Sequence, residues 1–177
     1  MLKLLYPYEY ADSVFAIDFE KLKALGFSAL IFDIDNTLVH HGDDSTPEID
    51  ELFRSIHALG FKTLLLSNNN KARIERFTKN IETLYIDEAG KPKKAGYLKA
   101  LSTLGVTNEQ AIFIGDQIFT DVFGANRARI KSILVKFIRL PNETNFGKRR
   151  KAEQIVLNRY FKSKYTHRLG DVLKSED

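Results

Sequence analysis

The stretch Ser28-Ala-Leu-Ile-Phe-Asp33-Ile-Asp35-Asn-Thr37-Leu38 decides the fold. Its opening residues make a near-continuous apolar run, the pattern of a strand buried on both faces of a sheet. Two carboxylates, two residues apart, close the run. Side chains two apart on extended backbone point the same way, so this reading sets Asp33 and Asp35 side by side at the carboxyl end of the strand. Two negative charges that close repel strongly wherever water is excluded, and the arrangement calls for a cation.

Working outward, short β-type runs alternate with amphipathic helical stretches. A helix reads from Pro47 to Leu59, with Thr46 as its cap, Pro47 in its first turn and Ile49, Leu52, Phe53, Ile56 and Leu59 as its inward stripe. Phe61–Leu66 reads as a strand, followed by the polar turn Ser67–Asn70 and a helix from about Lys71 to Lys79. Leu84–Ile86 is a weaker strand, and Pro92 is expected to open a helix that ends at Leu104 before Gly105. Ala111–Ile114 is a strand running into Gly115-Asp116; a helix from about Phe119 to Arg129 and a strand from Ser132 to Ile138 follow. A last helix, about Lys148 to Phe161, has an apolar stripe at Ala152, Ile155, Val156 and Tyr160. This alternation predicts an α/β fold: a three-layer, Rossmann-like parallel sheet with helices on both faces.

The chain has 177 residues, one domain's worth, so 1–177 reads as a single domain with a basic helical appendage at 142–177. Apolar residues at 44% and charged ones at 28% fit a folded globular chain and exclude wholesale disorder. No run approaches the roughly 20 uncharged apolar residues of a membrane span, and the opening Met1-Leu-Lys-Leu-Leu-Tyr-Pro7 is too short for a signal peptide. The absence of cysteine excludes disulfides, thiolate catalysis and sulfur-ligated metals. A cytoplasmic enzyme is expected. The net charge of +4 is unevenly spread: Lys148 to Arg168 holds eight Lys/Arg against one Glu, which leaves a slightly acidic body at −3.

In open parallel sheets, ligands bind beyond the carboxyl ends of the strands. Besides Asp33 and Asp35, those ends offer Ser67-Asn68, a hydroxyl and amide donors, and Gly115-Asp116, with Asp121 five residues on. Lys91-Pro92-Lys93-Lys94 supplies a cationic cluster at a helix start. Hard oxygen ligands without sulfur or imidazole suit Mg²⁺. The set fits phosphoryl transfer, in which Mg²⁺ and an ammonium offset the repulsion between a dianionic phosphate and an attacking carboxylate.

Asp33-Ile-Asp35-Asn-Thr37-Leu, Ser67, Lys91-Pro92 and Gly115-Asp116-Gln-Ile-Phe-Thr-Asp121 resemble, in order and strand placement, the four motifs of the haloacid dehalogenase-like phosphatase superfamily. The layout is most similar to the small IIIA-type phosphatases, the YqeG-like and phosphatidylglycerophosphate phosphatase-like proteins. The resemblance implies a Mg²⁺-dependent phosphomonoesterase working through an aspartyl-phosphate. Asp33 would be the nucleophile and a metal ligand. Asp35 would be the acid/base, with its backbone carbonyl on the metal. Ser67 and the N–H of Asn68 would hold phosphoryl oxygens, and Lys91, rather than Lys93 or Lys94, would neutralise nucleophile and phosphate. Asp116 would ligate Mg²⁺, and Asp121 would orient a water on the metal or the lysine. The implied substrate is a phosphorylated small molecule or lipid headgroup such as phosphatidylglycerophosphate.

Only 34 positions separate Asp33 from Ser67 and 24 separate Ser67 from Lys91, which leaves no room for a large cap domain. A large or surface-held substrate, or a neighbouring subunit in a homo-oligomer, is expected to seal the site, with Val39–Asp44 as a short flap. The basic stretch 148–168 reads as a solvated helix, or as a surface for anionic lipid at the inner membrane face; nucleic acid fits less well, since no recognisable module accompanies the charge. His40, His41, Asp43 and Asp44 read as a polar loop. An EF-hand is excluded because Leu38 and Asp44 stand where it needs Gly and Glu. Two other functions compete: a receiver-like phospho-aspartate module, whose third strand would offer Asp87, and a non-catalytic lipid- or RNA-binding protein of the same ancestry.

Overall fold

Every residue of β2 (Ala29–Phe32) and of β5 (Ala111–Gly115) is buried, as strands covered on both faces must be. In the computed structural model, which describes residues 2–143 and 147–175, these two strands lie side by side at the centre of one parallel sheet. The others are β1 (Glu9–Ala11), β3 (Lys62–Leu66), β4 (Leu84–Ile86) and β6 (Lys131–Val135), in the order β1-β6-β5-β2-β3-β4. From β2 the chain winds outward through β3 to β4, then crosses back to β5 and winds the other way to β6. The direction of winding therefore reverses between β2 and β5, which opens a crevice at their carboxyl ends.

Alternate strand residues feed the two faces. On one, Leu30, Phe32, Leu65, Ile112 and Ile114 pack against Leu22 of α1 (Phe19–Ala24), Phe53 and Ile56 of α2 (Pro47–Ala58) and Ile74 and Phe77 of α3 (Lys71–Phe77). On the other, Ala29, Ile31, Leu64, Leu66 and Phe113 meet Tyr97, Ala100 and Leu104 of α4 (Lys94–Leu104) and Ala125 of α5 (Phe123–Arg127). Each fully buried aliphatic or aromatic side chain contributes roughly 1.5–3 kcal/mol, which makes these layers the main source of stability. A third cluster docks α6 (Lys148–Phe161) through Val156 and Tyr160 onto Tyr6, Ile118, Val122 and Leu134.

Local chemistry places the helix starts. The Thr46 hydroxyl accepts from the Ile49 N–H at 3.4 Å, and the Asn70 side chain accepts from the Arg73 N–H at 3.0 Å. Three expectations need correction. The helix expected to open at Pro92 starts at Lys94: Gly90 to Lys93 form a turn closed by a 2.9 Å bond from the Lys93 N–H to the Gly90 carbonyl, and the Lys91–Pro92 peptide is cis. The helix expected from Phe119 begins as a wide π-turn, Ile118–Val122, before α5. In α6, Ile155 faces solvent, whereas Glu153 is buried because two polar partners hold it. The strand β1 and helix α1 lie upstream of the first strand the hydrophobic pattern marks. Three residues, Glu9-Tyr10-Ala11, carry too little periodicity to read, and β1 is secured instead by its ladder with β6.

The stretch 142–177 lies partly outside the described residues. Its described part is tied to the N-terminal segment: the Arg168 guanidinium donates to the Tyr6 and Pro7 carbonyls at 2.8 and 3.0 Å, and the Asp18 N–H donates to the Val172 carbonyl at 2.9 Å. Between β2 and β3 the chain holds one α-helix, and between β3 and β4 one α-helix and a single 3₁₀ turn, with no inserted domain. No helix among the described residues is long and apolar enough to cross a membrane.

Candidate active site

The crevice between β2 and β5 receives Asp33 from one strand end and Asp116 from the other. The Asp33 backbone N–H still bonds the Ile114 carbonyl at 2.9 Å, so the last rung of the ladder fixes where its side chain departs. Lys91, 8% exposed, enters from the loop before α4 and donates to Asp33 Oδ1 at 2.5 Å and to Asp121 Oδ1 at 2.8 Å. Lys93 and Lys94 are exposed. Asn68 brackets the Lys91 backbone, accepting from its N–H at 2.8 Å and donating to its carbonyl at 3.3 Å. Asp121 completes the set because the wide turn folds its carboxylate back onto the Gln117 N–H at 3.1 Å. Gly115 permits this approach: a Cβ there would stand 2.6 Å from Asp121 Oδ2.

Asp33, Asp116 and Asp121 bring carboxylate oxygens within 4.8 Å of one another. The Thr37 hydroxyl lies 3.3 Å from Asp33 Oδ2 and 3.2 Å from Asp116 Oδ1. It has one proton to give, so only one of these contacts is a hydrogen bond at a time. Burial pushes the Asp33 carboxyl up to about 6, against the pull of Lys91 and reinforced by Asp121. Burial, aided by the charge on Asp33 and opposed by Arg150, takes Asp116 up to about 8. Burial works against the Lys91 ammonium, yet the charges of Asp121 and Asp33 hold it protonated well above its usual range. Negative charge here exceeds what the protein's own cations offset, and the donors are hard oxygens. The chemistry of this set fits a divalent ion such as Mg²⁺.

Asp35 does not join that cluster. The strand ends at Phe32, so the extended geometry that would aim both carboxylates together stops short of Asp35, and Asn36 turns the chain with φ +62°. The Asp35 carboxylate accepts from the Gly42 N–H at 3.0 Å, from Asn69 Nδ2 at 2.5 Å and from Arg73 Nη2 at 3.0 Å. Burial opposes ionisation there, but these donors hold the Asp35 carboxyl below its usual value. Val39–Asp44 closes over it: Arg73 also donates to the Asp43 carbonyl at 2.7 Å, and Arg76 to the Gly42 carbonyl at 2.8 Å. Ser67, 2% exposed, sits at the end of β3 with its hydroxyl accepting from the Asn69 N–H at 3.1 Å. Asp87, the receiver-like candidate, follows the edge strand β4, outside the carboxylate cluster.

Sequence reasoning missed two cations. Arg73 sits in the first turn of α3, three residues past the Asn70 cap, where it reaches Asp35. Arg150 reaches in from α6: Nη2 pairs with Asp116 Oδ2, and Nη1 donates to the Asp116 carbonyl and to Glu153 Oε2, both at 2.9 Å. The available signal was the lone acid of the basic stretch, Glu153, three residues after Arg150 and therefore on the same helix face.

A family model described as haloacid dehalogenase-like hydrolase matches residues 41–129. The probable phosphatase YqeG of Bacillus subtilis (strain 168) is 35% identical over 134 residues, 75% of this chain and 78% of the relative. The chain belongs to the haloacid dehalogenase-like hydrolases. Solved structures agree on the fold. An uncharacterised protein from Listeria monocytogenes serotype 4b superposes with TM-score 0.55 at 18% identity, covering 75% of this chain and 99% of that one. A putative beta-phosphoglucomutase from Thermotoga maritima gives 0.52 at 17%, covering 77% and 99%. The family model's match begins past Asp33 and Asp35; the end of β2 positions Asp33, and the loop that follows positions Asp35.

The buried Lys91 pairs generate a prediction. Lys91→Met leaves Asp33 and Asp121 buried without their cation, and breaking a buried pair in this way costs about 3–5 kcal/mol. Urea unfolding at neutral pH should show a loss of that order; an unchanged midpoint would contradict the pairing.

Proposed function

We propose that this hydrolase is a Mg²⁺-dependent phosphomonoesterase that works through an aspartyl-phosphate on Asp33. One observation carries the reading: a buried lysine bridges Asp33 and Asp121 at the same crevice that holds Asp116. The relative in Bacillus subtilis is named a probable phosphatase, which agrees with it. Asp33, Asp116 and the backbone carbonyl of Asp35 would hold the divalent ion, which when bound supplies positive charge against the phosphate dianion.

The remaining roles fall to the chain. A carboxylate oxygen of Asp33 attacks phosphorus, the bond from phosphorus to the alcohol oxygen breaks, and Asp35 gives that oxygen a proton. Asp35 then takes a proton from water, which attacks the acyl-phosphate, releases inorganic phosphate and restores the Asp33 carboxylate. The pairing of Asp35 with Arg73 favours the ionised form used in this second step and works against the protonated form that the first step needs. Lys91 offsets charge on nucleophile and phosphate throughout, positioned by Asn68 and Asp121. The Ser67 hydroxyl and the Asn68 backbone N–H hold phosphoryl oxygens.

For substrate we infer phosphatidylglycerophosphate or a related phosphorylated headgroup. A cavity of about 470 Å³ adjoins Asp116, with Tyr10, Leu134, Phe137 and Phe161 on its walls and Lys136 and Lys151 among its cations. Such a lining suits an anionic molecule with an apolar portion. On α6, Lys148, Arg149 and Lys151 are exposed, as is Ile155 four residues on from Lys151, a combination suited to the inner face of an anionic membrane.

With an aryl phosphate and Mg²⁺, Asp33→Asn should abolish turnover and Asp35→Asn should lower kcat about 10²–10⁴-fold; full activity in Asp33→Asn would refute the mechanism. Replacing Lys148, Arg149 and Lys151 together by Ala removes ~1 kcal/mol each near an anionic surface. Binding to phosphatidylglycerol vesicles should weaken accordingly in a sedimentation assay, and unaltered binding would discard the membrane reading.

A further inference from the structure

We propose that Arg150 is a positioning residue that competes with the divalent ion for Asp116, so that metal loading and docking of the first turns of α6 oppose each other. The inference rests on the metal-centre reading above. Both oxygens of Asp116 have partners: Thr37 stands at Oδ1 and the Arg150 guanidinium at Oδ2. The Thr37 hydroxyl yields its place readily, because Asp33 Oδ2 offers its proton an equivalent acceptor 3.3 Å away. Arg150 is different, since it brings a full positive charge that a divalent ion on the same carboxylate repels.

Arg150 is also what fastens the start of α6. Its guanidinium spans the Asp116 carboxylate, the Asp116 carbonyl and Glu153, and lies 4.7 Å from the centre of the Phe137 ring. Glu153, 5% exposed, ties the same turn to the site through the Phe119 N–H at 3.2 Å. Farther along the helix, Val156 and Tyr160 are held by apolar packing independent of any charge at Asp116. Displacing Arg150 therefore removes one of the two polar ties of residues 148–153 and loosens them, while the apolar packing of the later turns stays in place. The motion also uncovers the cavity beside Asp116, which Arg150, Lys151 and Glu153 help to wall.

The test is calorimetric titration of MgCl2 into the full chain, with hydrogen exchange over α6 measured alongside. R150Q should bind Mg²⁺ about tenfold more tightly or better than wild type, whereas R150K, which keeps the charge, should stay within a few fold of it. Mg²⁺ should speed exchange at 148–153 in wild type several-fold, while in R150Q exchange there should be fast with or without the ion. Equal or weaker Mg²⁺ binding by R150Q, or Mg²⁺-induced protection of 148–153 in wild type, would overturn the competition while leaving the metal centre standing. Failure of every variant and of wild type to bind Mg²⁺ would instead remove the metal-centre reading, and this proposal with it.

Discussion

A lysine ammonium shared by two carboxylates in a nearly dry crevice is the interaction on which the rest of the structure depends. Desolvating three charges is costly, and their attraction offsets that cost only when geometry and hydrogen bonds are good. The fold supplies both. The Lys91 ammonium sits within 2.8 Å of Asp33 and Asp121, Asn68 holds the lysine backbone from both sides, and Gln117 satisfies the second oxygen of Asp121. Asp116 is left with one fixed cation, Arg150, arriving from a helix far along the chain.

Charge is balanced locally but not overall. Asp33, Asp35, Asp116, Asp121 and Glu153 face Lys91, Arg73 and Arg150. Two negative charges remain before any phosphate dianion arrives. A site meant to admit a dianion cannot stay in deficit, and the elevated proton affinities of Asp33 and Asp116 register that deficit. The two acids of the Asp33-Ile-Asp35 stretch are thus kept apart in kind: Asp33 is buried against lysine, while Asp35 is held ionised by Arg73 and the loop at Gly42.

Much of this was legible in the sequence because the central strands are apolar runs that end abruptly in polar residues. That contrast located Asp33, Ser67 and Asp116, and the helix starts at Pro47 and Lys71 followed from cap chemistry. The orientation of Asp35 was not legible, because the two-residue alternation of a strand does not hold past Phe32, where β2 stops. The roles of Arg73 and Arg150 were hidden for a different reason. An arginine on a helix does not by itself tell an inward guanidinium from a solvated one; Glu153 marks the face Arg150 shares, but its partner Asp116 lies 34 residues away in sequence. Glu153 hides in the same way: nothing in its sequence context shows that a backbone N–H and a guanidinium make it a buried anchor.

The central claim is that these carboxylates form a divalent-ion site. Thermal unfolding with and without MgCl2 tests it most directly. A ligand held by the native state alone at a hundred times its Kd adds about 2.7 kcal/mol, which for a chain of this size raises Tm by about 5–10 °C. The account predicts a rise of that order in the wild-type protein and its loss in Asp116→Asn. A Tm indifferent to Mg²⁺ at millimolar concentration would contradict it.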